Sequence, residues 1–383
     1  METVAPFKEV IEEIAEAGGE AFRFCFQCGL CDTVCPWNQV RQFSIRKIIR
    51  EATFGLTEIE VEDIWRCTTC GKCTDRCPRG VKQIEVGVSL RRVASEYEVF
   101  PASVKSARTA RASLISEGNP LQFDRNKRGD WAKDLGVKAF TEDMEALYFV
   151  GCYLSFDPRM KKIATATANI LKKAGVNFGI LGEKENCCGE SIRKTGSEDV
   201  FKSLAKENIK TFVDNGVKKI IVSSPHCYHT FKNEYPEFMV KFQVVHITQY
   251  LAELINEGRL ELTGEYGKKV TYHDPCYMGR HNDIYDEPRD ILKGILGLEL
   301  VEMPDSRRDS LCCGGGGGRI WMDTPKEERF SDLRLQQAKE VGAEVLVTAC
   351  PYCITNFEES RLNLDYDEVI EVKDITEIVQ DVI

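Results

Sequence analysis

Two stretches of the sequence, CFQCGLCDTVCP at 25–36 and CTTCGKCTDRCP at 67–78, share one spacing, C-x2-C-x2-C-x3-C-P. Nothing else in the chain constrains its fold as tightly. Three cysteines on one tight loop reach three irons of a cube, and the fourth, turned away before proline, reaches the neighbouring cube. The expected ligand sets are therefore Cys25, Cys28, Cys31 and Cys77 for one [4Fe–4S] cluster, and Cys67, Cys70, Cys73 and Cys35 for the other. Zinc takes two CxxC pairs per ion and has no use for the closing proline, so it is the weaker reading. Between the runs, Ile45, Ile48, Ile49 and Ala52 share one face at helical spacing, which predicts a helical hairpin there.

Residues 101–143 carry no cysteine and read as a connection. Beyond them the cysteines form two similar sets: Cys152, Cys187, Cys188 and Cys227, then Cys276, Cys312, Cys313, Cys350 and Cys353. The spacings from one set to the next are 124, 125 and 123 residues when Cys227 is matched to Cys350. The flanks agree, GCY with PCY, NCCGE with LCCGG and PHCYHT with CPYCIT, as do VVHITQYL (244–251) and EVKDITEIV (371–379). So long a period is not that of a solenoid. Each copy is a domain, 144–260 and 261–383, after a cluster domain at 1–100.

Within each copy, β-rich runs (ALYFVGC, KKIIVSSPHC, KKVTYHDPC, AEVLVTACPYC) alternate with helical patterns, and the cysteines follow the strand ends. Open α/β sheets place their ligands there. The expected fold is a duplicated α/β pair with mainly parallel sheets, preceded by an α-helical two-cluster domain.

Seventeen cysteines, an odd number, cannot all pair as disulfides. The N-terminus reads as an amphipathic helix (Phe7, Val10, Ile11, Ile14) instead of a signal peptide. No apolar run approaches the roughly 18 residues of a membrane span, and a net charge of −10 argues against nucleic acid as partner. The expected location is the cytoplasm, including the cytoplasmic membrane face through a partner. The glycine run at 314–318 ends before Arg319 and fits neither GxGxxG nor a P-loop. With no flavin or nicotinamide site, electrons must come from another protein.

The pattern C-x34-CCG-x37-C, then C-x35-CCG-x35-C-x2-C, resembles the cysteine-rich CCG domains of heterodisulfide reductases. IWRCTTCGKCTDRCPRGV resembles the ferredoxin-type subunit of the same system, and the fusion is similar to the single-chain catalytic subunits of the membrane-linked enzymes. The resemblance covers nearly the whole chain. It implies a noncubane [4Fe–4S] cluster on Cys276, Cys312, Cys313, Cys350 and Cys353, which would also be the catalytic set. The first copy has only Cys152, Cys187, Cys188 and Cys227, with Thr230 where the fifth ligand is expected, so its cluster would differ or be absent. The implied activity is cleavage of the coenzyme M–coenzyme B disulfide, or a related small-molecule disulfide, by electrons fed through the cubanes. The implied donor is a b-type cytochrome membrane subunit, a flavoprotein subunit or a ferredoxin. The alternative is an electron-relay subunit of a quinone-linked or flavoprotein complex. Thr230 favours the relay, and the intact second site favours the reductase.

Several residues near the cysteines have two readings each. Arg280 and Arg319 are either anion-binding groups or solvated surface arginines. His273 is either a proton donor or a structural strand-end histidine. His226 and His229 flank Cys227, and either is a candidate replacement ligand. Gly314, Gly315 and Gly316 would let the backbone wrap a cluster and aim N–H groups at sulfur or substrate. The first copy has CCGES here, so the second site is the one expected to keep space for a substrate.

Overall fold

The computed structural model describes residues 6–56 and 61–383, which form two compact units. The larger unit comprises 110–190, 200–313 and 331–383 and holds all nine cysteines of the duplicated part. Its strands are β1 (Lys138–Ala139), β2 (Ala146–Phe149), β3 (Phe178–Ile180), β4 (Lys219–Val222), β5 (Gln243–His246), β6 (Lys269–Tyr272), β7 (Glu299–Val301), β8 (Val345–Thr348) and β9 (Glu371–Asp374). They form two all-parallel sheets, ordered β1-β3-β2-β4-β5 and β7-β6-β8-β9. Without the extra edge strand β1, one order maps onto the other. The central strands β2 and β8 are buried along their whole length, as runs such as ALYF and VLVT require when helices cover both faces. The strands expected before Cys152, Cys227, Cys276 and Cys350 are β2, β4, β6 and β8.

Caps set where the helices begin. Asp157 accepts hydrogen bonds from the Arg159 and Met160 amides and starts the helix Pro158–Lys173. The matched segments VVHITQYL and EVKDITEIV are β5 and β9 running into helices Ile247–Asn256 and Ile375–Val382. Both junctions carry a capping box, His246 with Gln249 and Asp374 with Glu377. Arg159 joins the copies through ion pairs to Glu358 at 3.0 Å and Glu377 at 2.8 Å.

The smaller unit comprises 1–109, 191–199 and 314–330, so each duplicated copy contributes to it the segment that follows its cysteine pair. The N-terminal helix spans Lys8–Ile14; residues 1–5 lie outside the described ones. Helix Ile45–Phe54 buries Ile45, Ile48, Ile49 and Ala52 as predicted and is capped by Ser44, which accepts from the Lys47 amide. The second arm of the expected hairpin is one turn, Asp63–Arg66. Arg91, on helix Gln83–Glu96 and fully buried, donates to the carbonyls of Ile64 (2.8 Å), Cys67 (2.7 Å), Lys194 (2.9 Å) and Gly317 (2.8 Å). No helix among the described residues is long and apolar enough to cross a membrane.

Candidate metal centres

In the smaller unit, Cys25, Cys28, Cys31 and Cys77 line one cavity together with Phe26, Leu30 and Arg46. Burial, the Asp32 carboxylate and Cys25 push the Cys31 thiol up to about 12. Cys35 feels Cys70 and Cys67, and Cys73 feels Cys67, Cys70 and Cys35; burial and these neighbours raise both thiols. Each closing cysteine thus stands with the other run's loop. Trp37, just after Cys35-Pro36, donates its ring N–H to the Arg66 carbonyl at 2.7 Å, tying one motif to the approach of the other.

The glycine run lies in this unit. A Cβ on Gly316 would stand 2.3 Å from the Thr68 carbonyl oxygen, and one on Gly317, at φ +63°, 2.4 Å from that of Cys67. These two glycines therefore make room for the backbone of the second cluster loop, where the sequence suggested room for a substrate. Arg319 is neither a surface cation nor an open anion site. It is 5% exposed, donates to the Asp323 carbonyl and Thr324 hydroxyl, and lies over the Trp37 ring. Arg280, in the larger unit, braces the approach to Cys312 by donating to the Arg308 and Ser310 carbonyls.

In the first duplicated copy, Cys152, Cys187, Cys188 and Cys227 line a cavity of about 30 Å³ closed by His226, Pro351 and Tyr352. Burial and Cys187 hold the Cys152 thiol well above its ordinary pKa, with Arg128 opposing. Arg128 donates to Cys152 Sγ at 3.4 Å and to Glu185 at 2.8 Å, and both partners of the ion pair are 2% exposed. Glu185 accepts from the Val150 and Gly151 amides, stapling the Cys187 segment to the Cys152 segment. Arg128 was not visible in the sequence, because its segment has no cysteine and its partner lies 57 positions away.

In the second copy Cys276, Cys312, Cys313, Cys350 and Cys353 are all buried. The Cys353 and Cys313 sulfurs are 3.2 Å apart, and His273 joins them in a group whose ligating atoms lie within 4.8 Å of one another. Burial and Arg334 keep His273 neutral. Its Nδ1 faces the Arg334 Nε–H at 3.2 Å, so the proton sits on Nε2, which is buried without a partner in the protein. Here the carboxylate staple is reversed: Asp274, beside the first cysteine, accepts from Arg307 N at 2.7 Å and from both terminal nitrogens of Arg289.

The structural register corrects the position of the missing ligand. Tyr148 pairs with Ile221, as Tyr272 pairs with Val347. Three residues further on, Ser224 and Cys350 each cap a helix that begins at proline, Pro225 or Pro351. Cys227 therefore corresponds to Cys353, and the absent thiolate is replaced by Ser224. Thr230 lies a turn further on and bonds the His226 carbonyl. His229 is turned toward Asn233 and Asn282. His226 borders the first cavity, and its Nδ1 lies 3.1 Å from Glu190. Burial would raise the Cys350 thiol, yet the neighbouring Cys353 and His226 side chains bring it down.

These groups fit iron–sulfur clusters. Converging buried thiols cannot all ionise together without positive charge among them, and bound iron would supply it. The orphaned His273 N–H needs an acceptor, such as a cluster sulfur.

Comparison with known proteins agrees. A 4Fe–4S dicluster domain model matches residues 21–81, and a cysteine-rich CCG domain model matches 146–232 and 270–358. A subunit of the dihydromethanophenazine:CoB–CoM heterodisulfide reductase of Methanosarcina barkeri is 31% identical, over 93% of this chain and 92% of that one. The chain belongs to this family of iron–sulfur oxidoreductases. Other family relatives are the probable iron–sulfur-binding oxidoreductase FadF of Bacillus subtilis (39% identity, 84% of this chain) and EtfAB:quinone oxidoreductase of Syntrophomonas wolfei (36%, 83%). The chain spans 46% of the length of each of these two.

Proposed function

We propose that the chain is the electron-relaying iron–sulfur component of a multi-protein oxidoreductase. Single electrons pass through two cubanes, held by Cys25, Cys28, Cys31 and Cys77 and by Cys67, Cys70, Cys73 and Cys35. They then reach a five-thiolate noncubane cluster on Cys276, Cys312, Cys313, Cys350 and Cys353, with a four-thiolate cluster in the first copy. The observation that carries the reading is Ser224. Cleaving a disulfide takes two electrons and two protons and releases two thiols, and a matched pair of sites would receive one sulfur each. Here the pair is unmatched. The relatives of higher identity include one named for a quinone, which favours a flavoprotein or a quinone-linked membrane subunit as partner.

Disulfide reduction is the second reading, favoured by the complete second set and by the likeness to the heterodisulfide reductase subunit along nearly its whole length. One experiment decides between the two. The anaerobically purified chain should hold about 16 irons, at four per cluster, and should be reduced by a viologen dye without turning over coenzyme M–coenzyme B disulfide. Steady turnover would overturn the relay in favour of the reductase. About 12 irons would leave the first site empty, and about 8 would remove both duplicated sites from the scheme.

A further inference from the structure

We infer that Arg128 serves the first copy's cluster as well as its frame: one edge of its guanidinium donates to the Cys152 sulfur and to a second cluster sulfur, and raises that cluster's potential. The inference rests on the reading that the first site holds a four-thiolate cluster.

The geometry lies in how Arg128 spends its five N–H groups, which a planar guanidinium holds in a fixed fork. On the edge formed by Nε and Nη2, it donates to one carboxylate oxygen of Glu185, at 3.1 and 2.8 Å. The other hydrogen of Nη2 belongs to the edge shared with Nη1, and Nη2 also meets Cys152 Sγ, at 3.4 Å. Nη1 itself is buried and has no hydrogen-bond partner among the described residues. The edge that meets the sulfur is therefore only half used. A buried donor left over in a native structure calls for an acceptor. Cys152 lines one cavity with Cys187, Cys188 and Cys227, so a cluster bound there brings further sulfur to the same edge.

The second copy provides the contrast. Arg289 also neutralises a buried carboxylate, yet every one of its N–H groups ends on oxygen. Nε donates to Glu302, Nη1 to Asp274 and the Tyr285 carbonyl, and Nη2 to Asp274 and Glu302, at 2.6 to 2.9 Å. An arginine that only holds the frame is thus used up by it, whereas Arg128 keeps donors in reserve. Arg128 and Glu185 are each 2% exposed, so water does not screen them. Reduction adds negative charge to a cluster, and N–H groups on its sulfurs stabilise that charge and raise the potential. Arg128 is a positioning and tuning residue of the first site, contributed by a segment that has no cysteine of its own.

The test is a redox titration followed by electron paramagnetic resonance on the holoprotein, with iron counted in every sample. Arg128→Met combined with Glu185→Gln removes the buried cation and anion together and leaves the local net charge unchanged. At a fixed potential it should lower the reduced-to-oxidised ratio of the first-site cluster about tenfold, a shift of ~59 mV for a one-electron couple. Glu185→Gln alone keeps the Arg128 donors and uncovers their charge, so the ratio should rise. The second-site cluster and the two cubanes should not move in either variant. An unchanged first-site ratio in the double variant, a ratio that does not rise in Glu185→Gln, or an equal shift in every cluster overturns the inference. A second measurement needs no variant to assemble its cluster. In native protein carrying 15N-arginine, pulsed resonance on the first-site signal should show an arginine nitrogen coupling, and its absence overturns the inference. About 12 irons in the native protein, at four per cluster, with no first-site signal would overturn the cluster reading itself, and the inference with it.

Discussion

The two duplicated copies keep one topology and differ in what they build at the strand ends. Both place four parallel strands in the same order and start the same helix at proline. In the first, the carboxylate that staples the cysteine segments comes from the pair segment, as Glu185; in the second it comes from the first-cysteine segment, as Asp274. Each is neutralised by a buried arginine, Arg128 or Arg289. After the cysteine pair, the first copy runs into helix Glu190–Lys194 where the second has glycines. The lesson is that the backbone junction was retained while the polar groups holding it, and the number of thiolates, were free to change.

The largest expected effect comes from making the sites alike. Cys350→Ser should give the second copy the first copy's ligand set and remove its five-thiolate signal, while both cubanes stay loaded. Ser224→Cys should do the reverse and bring the first site's spectrum toward the second's. Unchanged spectra in both variants would break the proposed correspondence. Next in size, Arg128→Leu leaves Glu185 buried without its cation and should cost about 3–5 kcal/mol, read as a fall in Tm. Arg289→Leu should cost the same or less, because its other partner Glu302 is 40% exposed. Gly316→Ala should cost about 1–3 kcal/mol, since its Cβ meets a backbone carbonyl.

Within any one pH unit the smallest effect separates the two helix caps. Burial lowers His246 to about 3, so the stability it contributes is present above pH 6.5 and is lost as pH falls from there toward 3. Burial raises Asp374 to about 7 against the opposing Thr376 donors, so its contribution is present below about 3.8 and is lost as pH rises toward 7. Each changes stability by about 1.4 kcal/mol per pH unit within its window. In Tm–pH curves, His246→Asn should flatten the loss on the acid side and Asp374→Asn the loss toward neutrality. Parallel curves for native and variant proteins would erase the contrast.

Much of this was legible in the sequence where chemistry fixes spacing. The two cluster runs, the duplication and the strands before Cys152, Cys227, Cys276 and Cys350 all follow from local pattern. The error at Thr230 came from matching Cys227 to the nearer cysteine, Cys350; the shared helix-start prolines Pro225 and Pro351 carried the correct register. The roles of Arg128 and Arg91 were not legible, because each joins segments far apart in the chain. The glycine run was readable as a place of close approach, but what approaches Gly316 and Gly317 is decided by tertiary packing.

Arg91 has a consequence for how the molecule is made. Its guanidinium is buried on four carbonyls, two of which belong to Lys194 and Gly317. During synthesis from the N-terminus those two acceptors do not exist when the eight cysteines of the cluster runs have already left the ribosome. The cation stays short of partners until more than three quarters of the chain has been made. The unit that comes first in sequence therefore cannot complete its set of contacts to Arg91 until the chain has been made past Gly317, in the second copy.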